Sequence, residues 1–270
     1  MRLPQTRLLR LASEGDVLTA WLDDAATRNA LTAQMRDDLN ALVATLEHGS
    51  EFRVLVLRGA SGTFCSGGDL KAFKRLSATS LAADGTDPIA ADNAIYGDFL
   101  RRYNLLPLTT IALVEGSAFA GALGLLCVTD AVIVLETARF SMSETTLGLV
   151  PAQIAPFLVQ RIGLTHTRRL ALTGARFDGI EAQRLGIAHF VQPSIESAEA
   201  LLAELIGNVL RCAPRANAAT KQLLLDSAPH QDSALLDRAA QLFAQSLRGE
   251  GSEGTNAFAE KRRPSWVQGR

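Results

Sequence analysis

Apolar residues along this 270-residue chain fall into two kinds of pattern, and the pattern changes about two-thirds of the way along. In the first part, short runs rich in β-branched residues, "VLVL" at 54–57, "TTIALV" at 109–114 and "AVIVL" at 131–135, are bounded by glycine, aspartate or threonine. Such runs are too short for helices and read as buried strands. Between them lie stretches with helical spacing. Thr32 is placed to cap one of these, with Leu39, Leu42, Val43 and Leu46 on one face and Gly49 at its end. Laying "VLVLRG", which ends at Gly59, over "IALVEG", which ends at Gly116, gives an offset of 57 residues, and each copy runs on into a small-residue loop and a helix pattern. The expectation is a strand–strand–helix unit used more than once.

From about Ser194 onward the strand signals vanish and helical patterns take over in "IESAEALLAELIGNVL", "PRANAATKQLLL", "ALLDRAAQLFAQSL" and "TNAFAEKRR". The chain therefore divides into an α/β part, 1–193, and a helical part, 194–270, which cannot form a core alone and is expected to pack on the first part or on another subunit. The stretch "SATSLAADGTDPIAADNAIYG", 77–97, is rich in small residues, Asp and Gly, and reads as a mobile loop that could cover a site.

Composition narrows the partners. The balance of 27 basic and 28 acidic residues leaves no electrostatic footprint for nucleic acid or a membrane surface, so a small ligand is the expectation. The three cysteines, Cys65, Cys127 and Cys212, are few and odd in number, which fits a reducing cytoplasm better than a disulfide framework. Arginines interrupt the apolar residues of "MRLPQTRLLRLASEGD", unlike a signal peptide, and no stretch has the roughly 18 apolar residues that a membrane span needs.

The chemistry centres on "FCSGGDLKAF", 64–73, and "EGSAFAGALG", 115–124. Neither contains G-x-x-x-x-G-K-S/T or G-x-G-x-x-G, so neither is a phosphate loop of those types. No G-x-S-x-G elbow is present, and Ser66 and Ser117 have no histidine near them in sequence. His48, His166, His189 and His230 lack metal-ligand spacing, so no metal is expected; His189, in "GIAHFV", reads as a packed strand residue. What remains is bare backbone. A strand that ends in a glycine turn and then starts a helix points unsatisfied N–H groups beyond the strand. Two such turns could hold one oxygen, or the glycines could serve close packing, and the residues alone leave both open.

These segments resemble the enoyl-CoA hydratase/isomerase, or crotonase, superfamily. "FCSGGDLKAF" is similar to its first oxyanion loop, "VEGSAFAGALGLLCVTD" to its second, and "ARFSMSETTLGLVP" to the segment that carries a catalytic glutamate; the likeness runs from "ATRNALT" at 26–32 to "EGTNAFAEKRRPSW". The resemblance implies a spiral of ββα units with a C-terminal helical trimerisation region. It implies that the amides of Gly68 and Gly121 bind the thioester oxygen of an acyl-CoA and that Glu144 is the acid/base. It also implies that Arg28, Asn29 and Ala30, with Ser66, Asp69, Leu70 and Lys71, line the CoA, while Phe258 and Lys261 reach a neighbouring subunit's nucleotide in a homotrimer or hexamer. No cofactor beyond the coenzyme A of the substrate is implied. Apolar and hydroxylic neighbours of Glu144 would raise its pKa by desolvation.

Gly124 stands where the two-glutamate hydratases of the family carry their second glutamate. The expectation drawn from it is an empty slot that leaves room for a substrate with its own carboxylate. "PAQIAPF" and "CAPRANAATK" resemble isohexenylglutaconyl-CoA hydratases of acyclic terpene breakdown, with methylglutaconyl-CoA hydratases similar too. The expected reaction is hydration of the C2–C3 double bond of a 3-branched glutaconyl-type CoA ester. Generic enoyl-CoA hydration, Δ3,Δ2-isomerisation, a hydrolase or decarboxylase, and a non-enzymatic acyl-CoA-binding protein stay open as alternatives.

Overall fold

The computed structural model describes residues 2–49, 51–227 and 233–267, so His230 lies outside the described residues. In chain order the strands and helices are β1 (Leu9–Glu14), β2 (Val17–Leu22), α1 (Ala33–Leu46), β3 (Val54–Gly59), β4 (Thr63–Cys65), α2 (Leu70–Leu76) and α3 (Pro88–Asn104). There follow β5 (Thr109–Val114), β6 (Ser117–Phe119), α4 (Gly121–Cys127), β7 (Ala131–Leu135), β8 (Arg139–Ser141), α5 (Ala155–Thr173), β9 (Arg176–Asp178), α6 (Gly179–Leu185) and β10 (Phe190–Gln192). The chain closes with α7 (Ile195–Arg211), α8 (Pro214–Asp226), α9 (Ser233–Arg248) and α10 (Glu250–Ala259).

The three apolar runs form β3, β5 and β7, which lie side by side and parallel in a six-stranded sheet of order β1-β2-β3-β5-β7-β10. Both faces of that sheet are covered. Leu55 and Leu57 join the larger core with α1, whereas Val54, Val56, Ile111 and Ile133 pack under Ala198 and Leu202 of α7. Burial on both faces is why these strands read as unbroken apolar runs. Each of the three is followed at once by a short strand of a second sheet, β4-β6-β8-β9. The 57-residue repeat is thus two of three successive strand pairs, and Arg58 of the first donates to Glu115 of the second at 2.5 and 3.0 Å. This mixed α/β arrangement is the one expected.

Thr32 caps α1 as its position suggested, accepting from the Met35 amide, and Leu39, Leu42, Val43 and Leu46 are all buried. The helix stops at Leu46, before Gly49. The 77–97 reading needs correction. Only 77–87 is irregular; Asp87 accepts from the Ile89 amide, Pro88 opens α3, and Ile89, Tyr96, Phe99, Leu100 and Tyr103 are buried along it. Proline in the first helical turn needs no amide partner.

Of the C-terminal helices, α7 covers one face of the large sheet, and α9 and α10 also return to the α/β part. Helix α9 packs along α3 and shares with it a core of Ile89, Ala90, Leu149, Ala152, Phe243, Ala244 and Leu247. Its Arg248 ion-pairs with Asp87 at the start of α3. No described helix is long and apolar enough to cross a membrane.

Candidate active site

Strands β4, β6 and β8 are adjacent and parallel, so the chain leaves all three at the same end. Cys65 pairs with Ala118, and Phe119 pairs with Ser141. Three residues beyond Cys65, Ala118 and Ser141 stand Gly68, Gly121 and Glu144. The small sheet therefore delivers the three residues to one place, and all three line one open cavity.

The first turn is shaped by Gly67, whose φ of +93° lies in the region that glycine tolerates. A Cβ on Gly67 would lie 3.0 Å from the Phe119 carbonyl oxygen and 3.1 Å from the Ala120 Cβ, so the two turns touch. Leu31 sits between them: its amide donates to the Gly67 carbonyl at 2.8 Å, and its Cδ1 lies 2.6 Å from where a Cβ on Gly121 would be. The Gly68 amide has no partner among the described residues, and Gly121, at the first position of α4, has no intrahelical one. Both amides are available to an oxygen in the cavity.

Glu144 opens a short 3₁₀ turn, Glu144–Leu147, directly after β8. Its Oε2 is buried and accepts no hydrogen bond, and burial pushes the carboxyl up to about 7. A proton acceptor poised there is suited to transfer near neutral pH. Helix α10 backs this turn closely: a Cβ on Gly254 would lie 2.2 Å from the Leu147 carbonyl oxygen, and one on Gly148 would lie 2.5 Å from the Glu250 backbone.

Three further residues of the cavity come from elements with no motif. Tyr96 of α3 donates its hydroxyl to the Gly121 carbonyl at 2.8 Å. Phe243 of α9 lines the cavity and meets Phe73 of α2 edge-on, ring centroids 5.3 Å apart. Arg36 of α1 is the cation among the lining residues and is paired with Asp92 at 2.7 Å. Asp69 also lines the cavity while its carboxylate caps α2, accepting from the Lys71 and Ala72 amides.

The slot at Gly124 is not empty. The glycine is buried, and a Cβ there would lie 2.4 Å from Ile154 Cγ2 and 3.2 Å from Leu100 Cδ1. Ile154 and Leu100 already occupy the space, so the room expected for a pendant carboxylate is absent at this point. Asn29 also departs from the CoA-lining expectation: it is 1 % exposed, and its amide is spent on Ala60, Thr63 and Asp24 backbone groups. Ser66 donates its hydroxyl to the Thr27 carbonyl at 2.9 Å, which ties the loop down rather than opening it to a ligand. Arg28 and Lys71 are exposed, Ala30 is buried, and Leu70 is half-buried; none of the four lines the cavity. Phe258 and Lys261 are exposed at the end of α10. His189 departs from the packed strand residue expected: it is exposed and stands just before β10, although the Val132 amide donates to its Nδ1 at 2.9 Å and partial desolvation holds its pKa down to about 4. The three cysteines are unpaired.

The sequence model of the enoyl-CoA hydratase/isomerase family matches residues 13–269. AtuE of Pseudomonas aeruginosa is 46 % identical, with 97 % of this chain and 100 % of that one covered at a TM-score of 0.77. An enoyl-CoA hydratase/isomerase from Marinobacter aquaeolei is 42 % identical over 97 % of this chain and 99 % of its own, at a TM-score of 0.78. A curated Thermus thermophilus protein described as an enoyl-CoA hydratase is 32 % identical, covering 93 % of this chain and 97 % of its own. With the two free amides and the buried carboxyl on one cavity, these matches show that the chain belongs to the enoyl-CoA hydratase/isomerase family.

Proposed function

We propose that this enzyme adds water across the C2–C3 double bond of a 3-branched, glutaconyl-type acyl-CoA, with the isohexenylglutaconyl ester preferred to the methylglutaconyl ester. The observation that carries the hydratase reading is the convergence of two unpartnered amides, Gly68 and Gly121, with the uncompensated Glu144 carboxyl. The thioester oxygen accepts from both amides, and each donor aimed at a developing oxyanion contributes roughly 10²–10³ in rate. Glu144 as carboxylate takes a proton from water as the water oxygen bonds to C3 and the double-bond electrons move onto the thioester oxygen. The same proton then passes from Glu144 to C2 on the same face, and the enolate reverts to the carbonyl. The balance needs no cofactor beyond the CoA ester.

Arg36 supports a substrate with a second carboxylate, because it is the cation of the lining and its Nε is buried without a partner. Phe73, Leu149, Val150 and Phe243 offer an apolar wall for a branch. "PAQIAPF" and "CAPRANAATK" support the terpene ester in particular. Exposed Leu164 and Leu172 on α5 and Leu223 and Leu224 on α8 support a trimer or hexamer, which sedimentation would measure. A second reading, Δ3,Δ2-isomerisation, is favoured by one observation: the other carboxylates of the cavity, Asp69 and Asp92, are already engaged by the α2 amides and by Arg36. Straight-chain, methylglutaconyl and isohexenylglutaconyl esters, assayed for loss of the conjugated-enone absorbance with wild type and Glu144→Gln, test the proposal. Equal turnover of all three esters would overturn the branched specificity, and a shifted double bond without hydration would establish the isomerase.

A further inference from the structure

Gly97 stands in the interior of α3, where glycine is among the least favoured residues. A Cβ there would lie 1.9 Å from Gln153 Oε1 and 2.8 Å from its Cδ, so the helix gives up a side chain where the carboxamide sits. Gln153 is 3 % exposed, and its Nε2 donates to the Leu236 carbonyl of α9 at 3.0 Å. That bond decides which end of the amide is oxygen. Oε1 is buried and accepts nothing from the described residues, yet Gln153 lines the cavity that holds Gly68, Gly121 and Glu144.

This is not an isolated lapse in bonding. Seven buried side-chain polar atoms lack a partner among the described residues, and four of them, on Arg36, Asn93, Glu144 and Gln153, belong to residues of this one cavity. Buried polar groups are otherwise satisfied, so their clustering marks where a bound molecule completes the bonds. Glu144 Oε2 and Gln153 Oε1 are both acceptors. The complement of two acceptors is a molecule with two O–H donors, and water is the reactant that has them.

We propose that Gln153 is the second water-holding group of this site, its Oε1 accepting one hydrogen of the nucleophile while Glu144 accepts the other. The assignment rests on the hydratase reading above. In the step, the O–H bond directed at Glu144 breaks as the C3–O bond forms, and the hydrogen held by Gln153 stays on the new hydroxyl. A neutral carboxamide orients the water without a second negative charge, which would repel the enolate and make Glu144 harder to ionise.

Gln153→Met removes the acceptor at nearly equal length, and Gln153→Glu keeps one. The expected result for Gln153→Met is a 10- to 100-fold fall in kcat for hydration with KM within about twofold, while exchange of the C2 protons of butyryl-CoA with heavy water, which needs Glu144 and the two amides but no nucleophile, continues at the wild-type rate. Gln153→Glu is expected to recover most of the hydration and to shift its pH profile upward, since two neighbouring carboxylates raise one another's pKa. Wild-type hydration in Gln153→Met, or an equal loss of exchange and hydration, overturns the role and leaves the hydratase reading standing. A wild-type enzyme that exchanges C2 protons but hydrates no ester removes the hydratase reading, and this role with it.

Discussion

The turn at Gly67–Gly68 and the turn at Ala120–Gly121 leave neighbouring parallel strands at the same end, and each presents one amide to the cavity, yet different forces hold them. The first leads into α2, which has no buried residue, and is held by polar bonds: Asp69 to the Lys71 and Ala72 amides, Leu31 to the Gly67 carbonyl, Ser66 to the Thr27 carbonyl. The second leads into α4, where Ala122 through Leu126 are buried without interruption. There Ala120 takes φ +50° and ψ −117°, a conformation that costs a side-chain-bearing residue about 1–3 kcal/mol. Packing of α4, the Ala120 amide bond to the Ser141 carbonyl at 2.9 Å and the Tyr96 hydroxyl on the Gly121 carbonyl offset that cost. Of the two proposed oxyanion donors, one is thus fixed by the core and the other rests on a capped surface helix.

Substitutions can break the comparison in order of effect. The largest loss belongs to Glu144, which both turns serve: Glu144→Gln is expected to lower hydration about 10²- to 10⁴-fold. Its stability changes the other way. The carboxyl titrates near 7 when folded against an ordinary 4.5, so between those pH values the folded chain keeps a proton that the unfolded chain has released. Wild type therefore loses up to about 3 kcal/mol of stability as pH rises through that window, and Glu144→Gln does not. Urea unfolding at pH 8 should find the variant the more stable of the two, with the gap closed by pH 4.5; a gap that widens on acidification would contradict this sign.

Next comes Gly121→Val, on the packed turn. Its Cβ would meet Leu31 Cδ1 at 2.6 Å and the Tyr96 ring at 3.5 Å, so overpacking of about 1–3 kcal/mol should appear in thermal unfolding together with a loss of kcat. Asp69→Ala, on the capped turn, removes about 1 kcal/mol of local helix stability. Because α2 contributes no buried residue, the expected signature is faster hydrogen exchange at Lys71 and Ala72 and a raised KM with an almost unchanged Tm. A fall in Tm equal to that of Gly121→Val would erase the distinction between the turns. Gly68→Ala should be mildest, within about 0.5 kcal/mol, because its Cβ meets only the far edge of the Phe73 ring, at 2.6 Å. Since Phe73 also rests on Phe243, its effect should show in the preference among acyl branches rather than in unfolding.

What could be read from the chain follows the range over which each signal acts. Strands β3, β5 and β7 were legible because a strand buried on both faces is an apolar run in itself. The α1 cap at Thr32 was legible because capping is a matter of three residues. Helix α3 does not show in the 77–97 window because its first turns are mostly Ala, Asp and Asn with Ile89 as their one large buried apolar residue, and Phe99, Leu100 and Tyr103 of its apolar face lie past the end of that window. The Asp87–Pro88 pair, a capping residue before a first-turn proline, was the local signal that could have found it.

The site divides the same way. Gly68, Gly121 and Glu144 were identified through motifs, and the structure explains their common destination by the register of β4, β6 and β8, which no short window contains. Tyr96 and Phe243 have no motif to announce them, and Gln153 sits in "PAQIAPF", a stretch that bears on the substrate and names no role for the glutamine. A buried glutamine and a core phenylalanine look like any others until the surface they face is known.

By itself, then, the amino-acid order determined the local terms: where strands and capped helices form, and which residues carry bare amides and a carboxyl. Only the tertiary structure decided that Ile154 fills the space beside Gly124, that α9 closes one wall of the cavity and that α10 backs the Glu144 turn. The reason is physical. Backbone preference and capping act over a few neighbouring residues, whereas volume exclusion and the desolvation that lifts the Glu144 pKa depend on atoms brought together from a hundred residues apart.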